Sequence, residues 1–178
     1  MANFILNLCF WCLPALAADL PYFPDLNLRD QTGTERRFYS HLVKRNIVVI
    51  HSFFGACHGA CPVILSRVKY LQDHLAAGKG APVVFLSITV DPDQDQAGGL
   101  TELAASLNAG PNWYFLYGPK QNVDWILYKL GQYALKKEDH STLIIIGNEP
   151  TGQWAKIDAS APPEQILKLL QSISGSNQ

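Results

Sequence analysis

Charge is sparse in this 178-residue sequence, and none of it is gathered into blocks. Fourteen lysines and arginines stand against 15 aspartates and glutamates, for a net charge of −1. That balance excludes the clustered basic face by which proteins grip nucleic acid. No internal repeat or low-complexity tract occurs, which excludes a solenoid or an array. Cysteine is scarce too, with four in the chain, and a zinc finger would need two closely spaced pairs. No apolar run is long enough to cross a bilayer comfortably, which takes about 20 residues. What remains is a chain with 48% apolar residues, enough for one ordinary core in one domain.

The start of the chain differs from the rest. MANFILNLCFWCLPALAADL is uncharged before Asp19, largely apolar from about Phe4 to Ala18, and closes on Ala15-Leu16-Ala17. A hydrophobic stretch of that length ending in small-x-small is a secretory signature. It lacks the usual Lys or Arg near the start, so residues 1–17 read either as a signal peptide or as a short N-terminal anchor, with residues 18–178 as the exported domain. Cys9 lacks the small residue that a lipid-attachment site wants before it. Cleavage after Ala17 would leave only Cys57 and Cys61.

Downstream, DLNLRDQTGTERRF alternates around Thr32-Gly33 as a hairpin does. NIVVIHSFF (Asn46 to Phe54), APVVFLSITV (Ala81 to Val90), NWYFLYG and STLIIIG (Ser141 to Gly147) are runs suited to buried strands. Helical stripes intervene: Ile64, Val68, Leu71 and Leu75; then LTELAASLN; then Val123, Ile126, Leu127 and Leu130. NEPTG turns the last buried strand into GQWAKI, and PPEQILKLLQSI forms a C-terminal helix with proline at its start. The order predicts an α/β protein of thioredoxin-like fold, with a mixed central sheet flanked by helices and an N-terminal hairpin. Strands joined through helices are expected to run parallel, and the closing hairpin antiparallel.

Cys57 and Cys61 fall where the first buried strand hands over to its helix, at the C-terminal edge of the sheet. Pro62 suits the first helical turn, where unpaired amides and the helix dipole favour a thiolate. A structural disulfide over so short a loop would stabilise little, so the pair reads as reactive. Two soft thiolates can close reversibly to a disulfide or hold Cu(I) together. Of the five histidines, His41 and His74 read as surface residues, His51 as packed core and His58 as turn filler. His140, in EDHSTLIIIG directly before a buried strand, is the candidate third donor, and two sulfurs with one nitrogen suit copper. A carboxylate from Asp91 or Asp139 is expected to orient its imidazole.

CHGACP, SITVDPDQD and DHSTLIIIGNEPTG, in that order, resemble the SCO/SenC family of membrane-associated copper proteins. The family pattern is Cys-x-x-x-Cys-Pro, then Asp-Pro-x-x-Asp after the next strand, then Asp-His-Ser before a later one. The likeness runs from about Leu20 to the C-terminal helix. It implies that Cys57, Cys61 and His140 match the family's copper ligands, with copper held as Cu(I), Cu(II) or both. It further implies a metallochaperone that assists assembly of the copper A centre of cytochrome c oxidase, by delivering copper, by reducing the target's cysteines, or both. The implied partner is the oxidase subunit carrying that centre or another exported copper protein. The implied location is the periplasm or the outer face of the inner membrane, with membrane association through the N-terminus. Asn148-Glu149-Pro150-Thr151-Gly152 stands where the family more often has Asp-Pro-x-Gly.

The alternative is a thiol-disulfide oxidoreductase acting on cysteines of an exported target. General oxidoreductases of this fold carry Cys-x-x-Cys and a proline where this chain reads Asp139-His140-Ser141-Thr142. Peroxidases of related fold use one activated cysteine and leave His140 without a role. Structural zinc wants four ligands, and three are in view.

Overall fold

The computed structural model describes residues 22–56, 59–75 and 82–175. The leader or anchor, Cys57 and His58 lie outside them. A small antiparallel hairpin comes first, β1 (Asn27–Arg29) and β2 (Glu35–Arg37). Its turn is organised by Asp30, whose Oδ1 accepts from the Thr32 and Thr34 amides and whose Oδ2 accepts from Arg36. Burial pushes the Asp30 carboxyl up, but those donors outweigh it and hold it below the ordinary range. A π-helical turn, Phe38–Val43, which the sequence pattern did not announce, then buries Phe38, Leu42 and Val43.

The main sheet has five strands in the order β5-β4-β3-β6-β7. They are β3 (Ile47–Phe53), β4 (Val83–Thr89), β5 (Trp113–Leu116), β6 (Leu143–Asn148) and β7 (Gln153–Asp158). Between them run α1 (Ala60–His74), α2 (Ala97–Ser106) and α3 (Lys120–Leu130), with α4 (Pro163–Ser174) closing the chain. Every residue of β3 is buried, as a continuous β-branched run at the centre of a covered sheet requires. One core lies between the sheet and α1, α2 and α4, joining Val49, Phe53 and Phe115 to Ile64, Leu100 and Leu170. The other lies under α3, the hairpin and the π-helical turn, joining Val48, Ile50 and Leu86 to Ile126, Phe38 and Leu28. Three layers result.

β3, β4 and β5 are parallel, as helical crossovers dictate, and β7 is antiparallel to β6. One expectation is corrected. β6 follows α3 yet runs antiparallel to β3, with Ile50 opposite Ile145 and Ile47 opposite Asn148. α3 ends at Gly131 in the left-handed region (φ 68°), and residues 131–142 carry the chain to the C-terminal end of β3 before β6 begins. The direction of β6 therefore delivers His140 to the edge where β3 ends. Had β6 run parallel, the residue before it would have stood at the opposite edge.

Gly147, on β6, faces Trp154 across the β6–β7 pair, and a Cβ there would collide with the indole ring. That glycine lets a large aromatic lie flat against the sheet.

Candidate metal centre

α1 begins at Ala60, so Cys61 and Pro62 occupy its first turn, with Gly59 as N-cap. Cys61 is buried at 2% exposure and points into the core between the sheet and α1. Its Sγ lies 3.2 Å from Nε2 of His140, a residue 79 positions away and 7% exposed. His140 Nδ1 is 3.2 Å from the Ser141 carbonyl. A carbonyl only accepts, so Nδ1 carries the hydrogen and Nε2 presents its lone pair to the sulfur. Burial lowers the His140 pKa, against an opposing pull from the Ser141 carbonyl. The imidazole is therefore neutral near pH 7, the form that ligates metals.

The orienting role that Asp91 or Asp139 was expected to play is taken by that backbone carbonyl. Asp139 is exposed in the 3₁₀ turn Lys137–Asp139. Asp91 accepts from Lys137 Nζ at 2.6 Å, and this contact raises the Lys137 pKa. The same ammonium stands 5.5 Å from the centroid of the Phe54 ring, and Phe54 packs edge-on against the His140 imidazole with centroids 5.5 Å apart. Asp91 thus reaches the site through Lys137 and Phe54.

Asp95 makes the tie that sequence reasoning passed over. Both its oxygens accept from the Gly55 amide, at 3.1 and 3.0 Å, and Thr89 donates its hydroxyl to the same carboxylate. Thr89 Oγ1 in turn accepts from the Asp91 amide at 2.9 Å. A Cβ on Gly55 would sit 2.6 Å from Asp95 Oδ1, so only glycine permits this approach. The loops after β3 and β4 and before β6 are pinned together by Asp95–Gly55 and Asp91–Lys137. The sequence signal for Asp95 was present, as the last residue of DPDQD, and Ser141 stood in the Asp-His-Ser motif without its carbonyl being singled out; Lys137 and Phe54 had none.

His51 is fully buried, with Nδ1 facing the Ser52 carbonyl and Nε2 accepting from Ser87 Oγ at 2.7 Å, a hydroxyl that in turn accepts from Trp113 Nε1 at 2.8 Å. Burial chiefly lowers its pKa to about 4, against an opposing pull from the Ser52 carbonyl. His41 and His74 are exposed. A cavity of about 420 Å³, lined by Phe54, Gly55, Cys61, Pro62, Leu103 and Leu107, opens beside the cysteine.

Two donors on one ion, each about 2.0–2.3 Å from it, lie roughly 3–4 Å apart, and the sulfur–nitrogen separation of 3.2 Å fits that range. Among the described residues no group of three or more His, Cys, Asp or Glu side chains could hold a metal; Cys57, the third member of the expected set, is outside them.

Fold and site define a thioredoxin-like protein in which a thiol faces a neutral imidazole at the C-terminal edge of the sheet. The SCO1/SenC family model matches residues 21–174, and the chain belongs to that family. Similar solved structures include Arabidopsis thaliana ScoI with copper bound, at 17% identity and TM-score 0.74, covering 88% of this chain and 99% of that one. BsSco is described as a member of the Sco family of cytochrome c oxidase assembly proteins with a disulfide switch. It matches at 21% identity and TM-score 0.70, covering 84% and 91%. A SCO1/SenC family lipoprotein from Bacillus anthracis str. Ames matches at 20% identity and TM-score 0.73, covering 85% and 94%. No curated protein matches the chain.

Proposed function

We propose that this chain is an exported copper metallochaperone that assists assembly of the copper A centre of cytochrome c oxidase. In this reading it carries copper as cargo on Cys57, Cys61 and His140. The observation that supports it best is the buried Cys61–His140 pair, held 3.2 Å apart by elements from distant parts of the chain. Ordinary thiol exchange does not call for a neutral imidazole aimed at the sulfur; a metal site does. The copper-bound Arabidopsis thaliana ScoI and the oxidase-assembly description of BsSco favour the same reading. The apolar start of the chain, and the lipoprotein among its structural neighbours, favour a site on the outer face of the membrane.

The chain's own residues divide the work. The helix start at Ala60 stabilises the Cys61 thiolate once its proton leaves. His140 offers Nε2 while the Ser141 carbonyl fixes its tautomer. Phe54 covers the imidazole edge and limits water there. Copper, when bound, would take the place of the thiol proton between sulfur and nitrogen. Anaerobic titration of the reduced protein with Cu(I), with a metal count, tests the proposal: one copper per chain is expected, and none in the oxidised form. Copper uptake unaffected by oxidation would overturn it.

A second reading is favoured by the disulfide switch described for BsSco. Cys57 and Cys61 would reduce a disulfide of the target, becoming a disulfide themselves, and an external dithiol would restore them by becoming a disulfide in turn. Rapid reduction of a disulfide-bonded copper A domain by the metal-free protein would support it.

A further inference from the structure

α3 buries Val123, Ile126, Leu127 and Leu130 and turns its other face outward. On that face Trp125 and Tyr128 are stacked, with centroids 5.4 Å apart, and are 48% and 61% exposed. Lys129 Nζ lies 5.4 Å from the centroids of both the Trp125 and Tyr22 rings. Tyr22, 68% exposed, donates its hydroxyl to the Lys129 carbonyl at 3.1 Å and packs edge-on against Phe23. Phe23 in turn meets Trp154, with centroids 5.0 Å apart. Around this run lies a groove of about 430 Å³ that Lys156 also lines. Beyond α3, Tyr133 shares a second cleft with Trp125 and Tyr128, and Leu135 is 92% exposed. A continuous aromatic strip with lysines set into it is more than scattered surface residues account for.

We propose that this strip is a membrane-docking surface, resting in the headgroup interface of the bilayer that takes the apolar run of residues 4–18. The proposal is independent of copper. Its occupant is identified by where the chain enters. Only Asp19, Leu20 and Pro21 separate the apolar run from Tyr22, the first residue of the strip. Three extended residues span about 10 Å at most, so a run seated in lipid holds Tyr22 against the membrane surface. Fifteen residues as a helix would reach roughly 22 Å, short of a hydrocarbon core of about 30 Å. A run that short benefits from a second attachment, as paired weak membrane signals do. Tryptophan and tyrosine prefer the lipid–water boundary, and lysine stems lie along it with the ammonium in the headgroups. Lys129 and Lys156 add attraction for anionic lipid. Among the described residues no helix is long and apolar enough to cross a membrane.

The test uses the full chain with phosphatidylcholine–phosphatidylglycerol vesicles, made once with ordinary acyl chains and once with chains brominated near the glycerol. Comparing wild type with Trp125→Phe isolates the emission of Trp125. Expected is loss of most of that emission in brominated vesicles. Retention of the whole Trp125 signal on vesicle-bound protein would overturn the proposal and leave a protein partner for the strip. A lipid-free dimer that shields Trp125 would overturn it in favour of a second copy. Failure of the whole chain to stay with vesicles would overturn it as well.

Discussion

Replacing His140 with alanine removes two polar contacts at once, Nε2 to Cys61 Sγ and Nδ1 to the Ser141 carbonyl, each 3.2 Å long. The Ser141 carbonyl keeps a weaker donor in Ser52 Oγ at 3.5 Å. With a net worth of about 1 kcal/mol per hydrogen bond, the reduced, metal-free protein should lose about 2 kcal/mol. For a chain of this size that is a fall in Tm of roughly 4–8 °C, a folded protein with a weakened edge. Copper should respond far more. Loss of a mere outer-shell partner costs about 10–100-fold in metal affinity, so loss of a donor should cost Cu(II) more than about 100-fold. Cu(I) should lose less, because two thiolates still suffice for a soft ion. Competition titrations against a chromophoric chelator, thermal melts and dithiol–disulfide cycling on the same preparations give the three readouts. Unchanged Cu(II) affinity would remove His140 from the site. Equal loss for both ions together with failed thiol cycling would show that the variant acts through the fold instead.

Other outcomes follow from the same geometry. Burial depresses the folded pKa of His51 to about 4, so the unfolded chain takes up a proton first as pH falls from about 6.5. Stability should be complete above that pH and decline towards pH 4 by on the order of 3 kcal/mol. His140 pulls in the same direction. Urea midpoints across that window should show the decline, and His51→Gln should flatten it; an unchanged slope would mean that His51 is not the titrating group. Gly55→Ala forces a Cβ to 2.6 Å from Asp95 Oδ1 and should change the alkylation rate of the reduced cysteines. Asp95→Ala in the same chain should remove the clash, and failure of the pair to behave like Asp95→Ala alone would refute the clamp. Gly147→Ala should cost about 1–3 kcal/mol by overpacking against Trp154, measured by denaturant, and Gly147→Ala with Trp154→Ala should cost less than the sum of the single variants.

Much of this was readable in advance, for identifiable reasons. The β-branched runs at 46–54 and 81–90 gave strands within two residues of those observed, because a strand covered on both faces needs little besides apolar bulk. Pro62 correctly announced the first turn of α1. His140 does reach the cysteine edge, though the expected strand direction was wrong. Parallel strands throughout would have placed a residue just before β6 away from the cysteine edge, and only the antiparallel pairing of β6 with β3 makes the two meet. Pairing direction is a tertiary property, absent from local periodicity. The carbonyl of Ser141 was invisible because every residue has one. Lys137 was invisible because its partner, Asp91, lies 46 positions away.

The separation of Cys61 and His140 along the chain also orders events in time. A chain that emerges N-terminus first presents Cys61 79 residues before the imidazole that comes to face it. The imidazole then comes into place only when β6 pairs beside β3 at the centre of the sheet. Half-emerged chains consequently lack the facing thiol and imidazole. If copper is the cargo, as proposed, it would be taken up with full affinity by finished molecules alone, and loading would report that folding is over.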